Sequence, residues 1–406
     1  MGTEEKLSIL FHVSRYWPAI AGAALHTREL THHLAQHHQV VVVRHCGDEP
    51  SSAEIAFAHN QSYLDLDKDY GVPIYQVGPG KLLKGPIQTL TQYHASQRLT
   101  RLLYSTLARS TVASQLRSLD APYQLIHAVY TGLACTVEAA QQIAKEKRIP
   151  FVLTPLLHFP SKEKEADADP QFQRLYQKAD ALIAMTQFER EWLMEKGGAK
   201  PERVHVCPIG PLVNEQADPS TFRKEYDLED ALIVLFIARQ IAYKGYRHLC
   251  EAATSVWAKY PDTYFVFLGP PTEESQAYFD QFSDSRFINL GEVSSEVKSS
   301  ALAACDVLCV PSTEESLGAI YLEAWSFKKP VIAADIPAMH SVISQEEDGL
   351  IVPQDPKALS HALIRLLADD TLRSRMGEAG YRKVHAQYDW DVIANRLLNI
   401  YRGLLA

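Results

Sequence analysis

Short apolar runs alternate with helical patterns along most of the 406 residues, which is typical of parallel β-sheets covered by helices on both faces. The first series contains the predicted strands Leu7–Val13, Val40–Arg44, Pro73–Val77, Leu125–Ala128, Phe151–Leu153, Ala181–Met185 and Arg203–Val206. The second contains Ala231–Ala238, Tyr264–Leu268, Arg286–Asn289, Asp306–Val310, Pro330–Ala333 and Gly349–Val352. The sequence therefore predicts an α/β protein with two facing, doubly wound, Rossmann-like domains.

The two series are separated between Pro208 and Glu229, where Pro, Gly and Asn cluster without an apolar period. The predicted helices between the strands include Leu25–His38, Thr131–Lys147, Arg247–Lys259 and Ser295–Ala304. The predicted parts are an N-terminal domain of residues 1–210, a linker of residues 211–228, a C-terminal domain of residues 229–387 and a final segment of residues 388–406 with a helix from Trp390 to Leu405. Open α/β sheets bind ligands beyond the carboxyl ends of their strands, so we expect the active site in a cleft between the domains.

Composition excludes several classes of protein. A formal charge of −9 argues against general nucleic-acid binding, and no apolar run is long enough to span a bilayer. The six cysteines are scattered without a CxxC pair, which favours reduced thiols in the cytoplasm. Acidic residues precede the first strand, unlike the basic start of a signal peptide.

Two glutamates, Glu315 and Glu323, occur in a segment that reads strand, loop and helix. Pro311 ends the apolar run, Ser316 is a good N-cap residue, and residues 317–327 are predicted to be helical. The free N–H groups at a helix start can hold a phosphate, and carboxylates beside it can accept hydrogen bonds from sugar hydroxyls. The segment predicts a nucleotide-sugar site.

Arg239 and Lys244 directly follow an apolar run, where a predicted strand ends. A guanidinium can contact two phosphate oxygens in parallel, and a lysine adds a compact positive charge. Such cations would stabilise the charge that develops on a departing diphosphate. The alternative interpretation is that Arg239 and Lys244 are solvated surface cations. Glu315 and Glu323 would then be surface charges that stabilise the start of a helix.

Taken together and in this order, these segments resemble the retaining glycosyltransferases of the GT-B fold, particularly glycosyltransferase family 4. The matching segments are the Glu-x7-Glu of residues 315–323, Ile237–Gly245, the Pro-x-Gly turn in Val206–Gly210 and the loop Tyr16–Gly22. The resemblance implies a metal-independent transfer of a sugar, with retention of configuration, from a nucleoside-diphosphate sugar that is UDP- or GDP-linked. The acceptor would be a lipid, a glycan or a small molecule.

The resemblance also implies roles for individual residues. Arg239 and Lys244 would hold the diphosphate, Glu315 would bind hydroxyls of the donor sugar, and Glu323 would bind the ribose. The backbone of Ser316, Leu317 and Gly318 would touch the sugar and the diphosphate; the family usually has Phe at the position of Leu317.

Two predicted site residues lie in the N-terminal half. Gly22 lies between the first predicted strand and the first predicted helix. Either this glycine lets a diphosphate or sugar approach the backbone closely, or it is a loop glycine without a role in binding. His158, in Thr154–Pro160, is either the histidine that the family places near the reacting sugar or a histidine satisfied in its loop. In many family members that histidine directly follows the Thr-Pro pair, where this chain has Leu156. His127 is interpreted as structural.

Three Asp-x-Asp pairs resemble metal-binding motifs: Asp65 with Asp67, Asp67 with Asp69, and Asp167 with Asp169. They occur in poorly patterned polar segments, so we interpret them as loop acids. No metal is expected, and the nucleotide sugar is the only co-substrate.

Between Tyr70 and Leu119 there is no acidic residue, while arginines, lysines and leucines interleave. Residues 79–117 therefore either contact an anionic membrane peripherally or form an acceptor-side helix that packs its leucines inward.

Other functions stay open. An epimerase or phosphorylase on the same fold would turn over the donor without a sugar acceptor, and a degenerate glycosyltransferase would only bind. A Rossmann dehydrogenase is disfavoured because no G-x-G-x-x-G follows the first strand.

Overall fold

The computed structural model describes residues 5–18, 22–46, 52–60, 63–93, 98–129, 132–157, 159 and 170–406. By their contacts, these residues form two compact units. Unit 1 takes its described residues from Met1–Leu157, Asp167–Cys207 and Ile393–Ala406, and unit 2 takes its own from His158–Ala166 and Pro208–Val392.

Unit 1 is an eight-stranded sheet with helices between its strands. Its strands are β1 (Ser8–Val13), β2 (Gln39–Arg44), β3 (Tyr63–Asp69), β4 (Val72–Gln76), β5 (Leu125–Val129), β6 (Phe151–Thr154), β7 (Ala181–Ala184) and β8 (Val204–Val206). Its helices are α1 (Gly22–Ala35), α2 (Ala53–His59), α3 (Lys81–Tyr93), α4 (Arg98–Arg117), α5 (Ala134–Lys147), α6 (Pro170–Lys178) and α7 (Gln187–Glu195).

Unit 2 has a six-stranded sheet of the same kind. Its helices and strands are α8 (Pro219–Glu225), β9 (Leu232–Ile237), α9 (Tyr246–Trp257), β10 (Thr263–Leu268), α10 (Glu273–Phe279), β11 (Phe287–Gly291), α11 (Ser295–Ala304), β12 (Val307–Val310), α12 (Ala319–Ser326), β13 (Val331–Ala334), α13 (Pro337–His340), β14 (Gly349–Val352), α14 (Pro356–Leu367) and α15 (Asp370–Lys383). The last helix, α16, is Trp390–Leu405, and its residues from Ile393 onward pack in unit 1.

Both sheets are doubly wound, which confirms the predicted fold class. The strand orders are β3-β4-β2-β1-β5-β6-β7-β8 and β11-β10-β9-β12-β13-β14. In each sheet the chain winds outward in one direction and then returns to the middle to wind in the other. The reversal lies between β1 and β5 in unit 1, and between β9 and β12 in unit 2. Ligands of open α/β sheets bind at such positions.

The thirteen predicted strands are present with ends shifted by at most two residues. The prediction missed β3, which pairs antiparallel with β4 at the edge of the sheet. Asp65, Asp67 and Asp69 therefore belong to a strand, and the interpretation of these residues as loop acids was wrong. The error arose because an edge strand needs no apolar face. Asp167 and Asp169 lie outside the described residues.

The end of β3 is attached to α1 by charged groups. The Asp69 carboxylate accepts hydrogen bonds from Arg28 Nε at 2.6 Å and Nη2 at 2.7 Å, and it also bonds to His32. These contacts lower the pKa of Asp69, although burial alone would raise it. Asp69 therefore has a structural role at the sheet edge.

The predicted linker, residues 211–228, is counted in unit 2 by its contacts. It contains α8, whose Phe222 is buried, and Asp218 caps the helix by accepting a hydrogen bond from the Ser220 N–H. The Asn214 N–H donates to Ser299 Oγ in α11 at 3.1 Å. This segment was predicted as a linker because its apolar residues show no helical or strand period, whereas its burial depends on contacts distant in sequence.

Candidate active site

The predicted donor residues in unit 2 follow the two strands that flank the reversal of its sheet. Arg239 and Lys244 come after β9, and Glu315 comes after β12. The strands pair in parallel, with Val307 opposite Val234 and Leu308 opposite Leu235. Because carboxyl ends of parallel strands meet at one edge, the two segments lie beside each other.

The turn that carries Lys244 is fixed by backbone contacts with the segment after β12. The Tyr243 carbonyl accepts hydrogen bonds from the Thr313 N–H at 2.9 Å and from Gln354 Nε2 at 3.0 Å. Gln354 Nε2 also donates to the Pro311 carbonyl at 2.6 Å. Gln354, which follows β14, was missed by the sequence analysis because it belongs to no motif.

Lys244 and Glu315 form an ion pair with 2.6 Å between Nζ and Oε1. Both side chains are largely buried, with 14% and 10% of their surfaces exposed. The backbone of Glu315 also forms an isolated antiparallel bridge with Phe159, the residue after His158. His158 itself lies outside the described residues, so its role stays a prediction.

The start of α12 differs from the prediction. The helix begins at Ala319, and its N-cap is Gly318 in the left-handed conformation, with φ 67°. Ser316 therefore is not the cap; it lies in the loop with Leu317, which is buried. A Cβ on Gly318 would lie 2.5 Å from the Tyr321 ring, so only glycine fits this turn. Ser316 was chosen because its residue type favours caps, whereas the backbone turn decides where the helix starts.

Glu323 is buried on α12 and is paired with a lysine that the sequence analysis missed. Lys298 Nζ in α11 lies 2.9 Å from each Glu323 carboxylate oxygen and also donates to the Leu212 carbonyl at 3.0 Å. Burial raises the pKa of Glu323, while the Lys298 ammonium and the Leu212 N–H act in the opposite direction. Lys298 carries no sequence motif, so it could not be found without the tertiary structure.

Arg239 is exposed, and within the described residues its guanidinium makes no hydrogen bond or ion pair. The neighbouring Gln240 is fully buried and donates to Asn289 Oδ1 at 2.6 Å. This anchors the chain directly after Arg239. The unit 2 site thus combines one unpaired arginine with the two carboxylate–lysine pairs described above.

In unit 1, Gly22 is the first residue of α1, so this helix begins three residues earlier than predicted. A Cβ built there meets no atom within 4 Å, so the protein itself does not require glycine at this position. His127 is buried and bonds Tyr401 Oη at 2.6 Å and Thr154 Oγ1 at 2.7 Å. Burial lowers the pKa of His127 to about 3, and it holds α16 in unit 1, as its structural interpretation requires.

Among the described residues, no group of three or more His, Cys, Asp and Glu side chains could hold a metal ion. Within the same residues, no helix is long and apolar enough to cross a bilayer.

Family models match both halves of the chain. The model "Glycosyl transferase 4-like domain" matches residues 21–210, and "Glycosyl transferases group 1" matches residues 218–383. The chain belongs to the GT4-like glycosyltransferases. The members of this family are transferase enzymes. The two matches confirm the resemblance predicted from the sequence motifs.

Relatives of this GT4-like chain include phosphatidyl-myo-inositol mannosyltransferases. The protein from Mycobacterium tuberculosis is 30% identical over 234 residues, which are 56% of this chain and 60% of that protein. The one from Mycobacterium leprae is 29% identical over 366 residues, covering 86% and 90%. Alpha-D-kanosaminyltransferase from Streptomyces kanamyceticus is 29% identical over 240 residues, covering 56% and 61%. Two of these three matches therefore span only about 60% of the relative's length.

Solved structures confirm the GT-B fold of the GT4-like chain. HepE from Anabaena in complex with UDP and glucose superposes with a TM-score of 0.70 at 16% identity, covering 97% of this chain and 99% of that one. Sucrose-phosphate synthase from Thermosynechococcus elongatus gives a TM-score of 0.71 at 19% identity, covering 98% and 99%. At these identities the similarity concerns the fold alone.

Gly269 at the end of β10 allows the close approach of the chain before Arg239. Its φ is +124°, and a Cβ there would lie 2.2 Å from the Ala238 carbonyl oxygen. We expect Gly269→Ala to destabilise the protein by roughly 2–5 kcal/mol, combining backbone strain with overpacking. Displacement of Arg239 should also weaken nucleotide binding.

Gly291→Ala is the matched control. Gly291 has a φ of +65°, but its nearest contact would be Pro271 Cδ at 3.9 Å, so only the backbone strain of about 1–2 kcal/mol applies. Urea unfolding followed by circular dichroism measures both variants. Equal losses of stability would show that the Ala238 contact has no effect.

Proposed function

We propose that this chain transfers a hexosyl group from a UDP- or GDP-linked sugar to an acceptor hydroxyl, with retention of configuration and without a metal. The observation that carries the proposal is the Lys244–Glu315 ion pair at the reversal of the unit 2 sheet, beside the unpaired Arg239. Two cations and a carboxylate at this position match a diphosphate joined to a sugar.

The proposed chemistry assigns a task to each group. Arg239 and Lys244 stabilise the negative charge on the leaving diphosphate as the bond from the anomeric carbon to the phosphate oxygen breaks. The acceptor oxygen forms its bond to the same face of that carbon, and its proton passes to the leaving phosphate oxygen. Glu315 accepts hydrogen bonds from hydroxyls of the donor sugar, and Glu323 does so from the ribose.

Binding of the donor nucleotide is the first test. Thermal unfolding is followed with UDP, GDP, ADP, dTDP and CDP, with and without EDTA. A ligand at about 100 times its Kd adds roughly 2.7 kcal/mol of stability, which raises the melting temperature by several degrees. We expect a shift with UDP or GDP that EDTA does not abolish. No shift with any nucleotide would contradict the proposal.

Two alternatives are distinguished by product analysis. An epimerase or phosphorylase would convert the sugar nucleotide in the absence of an acceptor, and a degenerate binding subunit would give a thermal shift without turnover. The presence of Arg239, Lys244, Glu315 and Glu323 together speaks against a degenerate subunit, and turnover with an acceptor decides between the two.

The acceptor side is proposed to contact an anionic membrane at its cytoplasmic face through α3 and α4. Leu82 is 92% exposed, and Leu99, Leu102 and Leu103 are 66%, 63% and 47% exposed. Leu99, Leu102 and Leu103 have the spacing of one helix face. By contrast, Leu83, Leu90 and Leu107 pack against the core, so the inward-packing alternative accounts for only part of the segment.

Charge complementarity selects an anionic lipid surface. Lys81, Arg98 and Arg101 are exposed beside these leucines, and no acidic residue occurs between Tyr70 and Leu119. Each cation near an anionic surface contributes about 1 kcal/mol, and the leucines add their burial in the lipid.

Vesicle sedimentation tests this surface with the triple variant Leu99→Ser, Leu102→Ser, Leu103→Ser. We expect this variant to partition at least about tenfold less to phosphatidylglycerol-containing vesicles. Even partial burial of the three leucine side chains in the lipid should contribute more than about 1.4 kcal/mol to the free energy of binding. Leu405→Ser, at the exposed end of α16, is the control that should bind like the wild type. Equal binding of the wild type and the triple variant would contradict the proposal, as would dimerisation through this face.

A further inference from the structure

Lys298 joins three parts of unit 2 through one ammonium group. Its Nζ donates to Glu323 Oε1 and Oε2, each at 2.9 Å, and to the Leu212 carbonyl at 3.0 Å. An ammonium has three N–H donors, so these three acceptors use its full capacity. The junction thereby links α11, α12 and the chain segment that precedes α8.

The surroundings make this junction costly for stability alone. Glu323 is 5% exposed, and the side chain of its partner Lys298 is 22% exposed. Buried ion pairs are often no more stable than apolar residues of similar volume. A charged carboxylate at this position therefore needs a reason besides folding.

The junction also lies at the edge of the sheet where the donor residues lie. Lys298 is in the first turns of α11, after β11, and Glu323 is in the second turn of α12, after β12. Helices that follow parallel strands start at the carboxyl edge, so both side chains are near the segments that carry Arg239 and Glu315.

We propose that Lys298 is a positioning residue that orients the Glu323 carboxylate toward the ribose hydroxyls of the donor and ties it to the backbone of Leu212. This inference rests on the proposed function, in which Glu323 receives the ribose. Only an ionised carboxylate accepts hydrogen bonds from two adjacent hydroxyls with both oxygens. Lys298 keeps the carboxylate in this form and fixes its rotation, and it does not touch the reacting atoms.

The inference predicts a particular dependence on pH. Among the described residues, Lys298 is the charged side chain that acts on the Glu323 carboxyl, and burial opposes it by raising the pKa. Without Lys298 the pKa of Glu323 rises further, so the charged form is lost at a higher pH. The affinity defect of Lys298→Met should therefore grow as the pH is lowered.

The deciding experiment measures the affinities of UDP and GDP, and of their 2′-deoxy counterparts, by calorimetry on the wild type, Lys298→Met and Lys298→Arg. In the wild type, loss of the 2′-hydroxyl should weaken binding about tenfold, as for a hydrogen bond to a charged group. In Lys298→Met the ribonucleotide should bind about tenfold more weakly, and loss of the hydroxyl should then matter less than about threefold. Lys298→Arg should restore part of the discrimination.

Arg223→Met is the matched control, because Arg223 pairs with the partly buried Asp306 at the amino end of β12, the opposite end of that strand from Glu315. It should lose stability and keep the wild-type nucleotide affinities at every pH. Independent, additive effects of Lys298→Met and the missing hydroxyl would overturn the inference and leave the proposed function standing. A wild type that binds neither nucleotide would remove the proposed function and this inference with it.

Discussion

Replacing Glu315 or Lys244 with alanine is expected to lower the rate of sugar transfer about a hundredfold to a thousandfold or more. A preorganised charged group at a reacting centre is worth about 3–4 kcal/mol of barrier, and each variant removes one. For Glu315→Ala the effect should fall on kcat more than on the Kd of the free nucleotide, because Glu315 is proposed to bind the sugar. Lys244→Ala should also raise the Kd of the nucleotide, because Lys244 is proposed to contact the diphosphate. Steady-state kinetics with the donor found by thermal shift measures this.

Stability has to be measured on the same variants. The two side chains of this pair are largely buried, so removal of one leaves the other uncompensated and costs up to about 3–5 kcal/mol. Asp306→Asn breaks a partly buried ion pair in unit 2, with Arg223 at the amino end of β12, and should show a stability loss without the loss of turnover. Near-native turnover of Glu315→Ala or Lys244→Ala would remove that residue from the proposed site.

Trp325→Ala is expected to destabilise the protein by about 3–5 kcal/mol. The Trp325 side chain is fully buried, its Nε1 donates to the Asp348 carbonyl at 2.9 Å, and its ring lies against Gly380, where a Cβ would come within 2.1 Å of ring carbon Cδ1. Truncation leaves a large cavity and an unpaired carbonyl in the buried interior. Urea unfolding followed by far-UV circular dichroism is the measurement.

Trp325→Phe removes the hydrogen bond with a smaller loss of packing than alanine, since it keeps a six-membered aromatic ring and loses the five-membered ring that carries the N–H. It should cost about 1–3 kcal/mol, the range for leaving a buried acceptor unsatisfied. Because α12 carries Glu323, the alanine variant should also weaken nucleotide binding. A loss below about 1 kcal/mol for Trp325→Ala would contradict the packing argument.

The sequence was sufficient to place the predicted donor residues of unit 2 at one edge of its sheet. The apolar runs Ala231–Ala238 and Asp306–Val310 predict buried parallel strands, and the polar residues directly after them must then lie at one edge of a sheet. Arg239, Lys244 and Glu315 could be named from that pattern and from the family motif. Their roles in catalysis stay predictions until the kinetics are measured.

Other features escaped because they depend on contacts or backbone angles that residue types do not encode. The strand β3 was missed because four of its seven residues are charged, which is common in edge strands. The start of α12 is set by the left-handed Gly318 rather than by Ser316. Phe222 lies in the segment that was predicted to be a linker. In the structure its side chain is buried, because residues distant in sequence pack around it in unit 2.

By itself, the sequence determined the fold class, because periodic burial depends on residues that are neighbours in the chain. The motifs at residues 237–245 and 315–323 indicated the family. The tertiary structure alone decided which charges pair. Lys244 meets Glu315 across 71 positions, and Lys298 meets Glu323 across 25. The energy of a charge depends on its partner and its burial, and both arise only when distant segments are brought together.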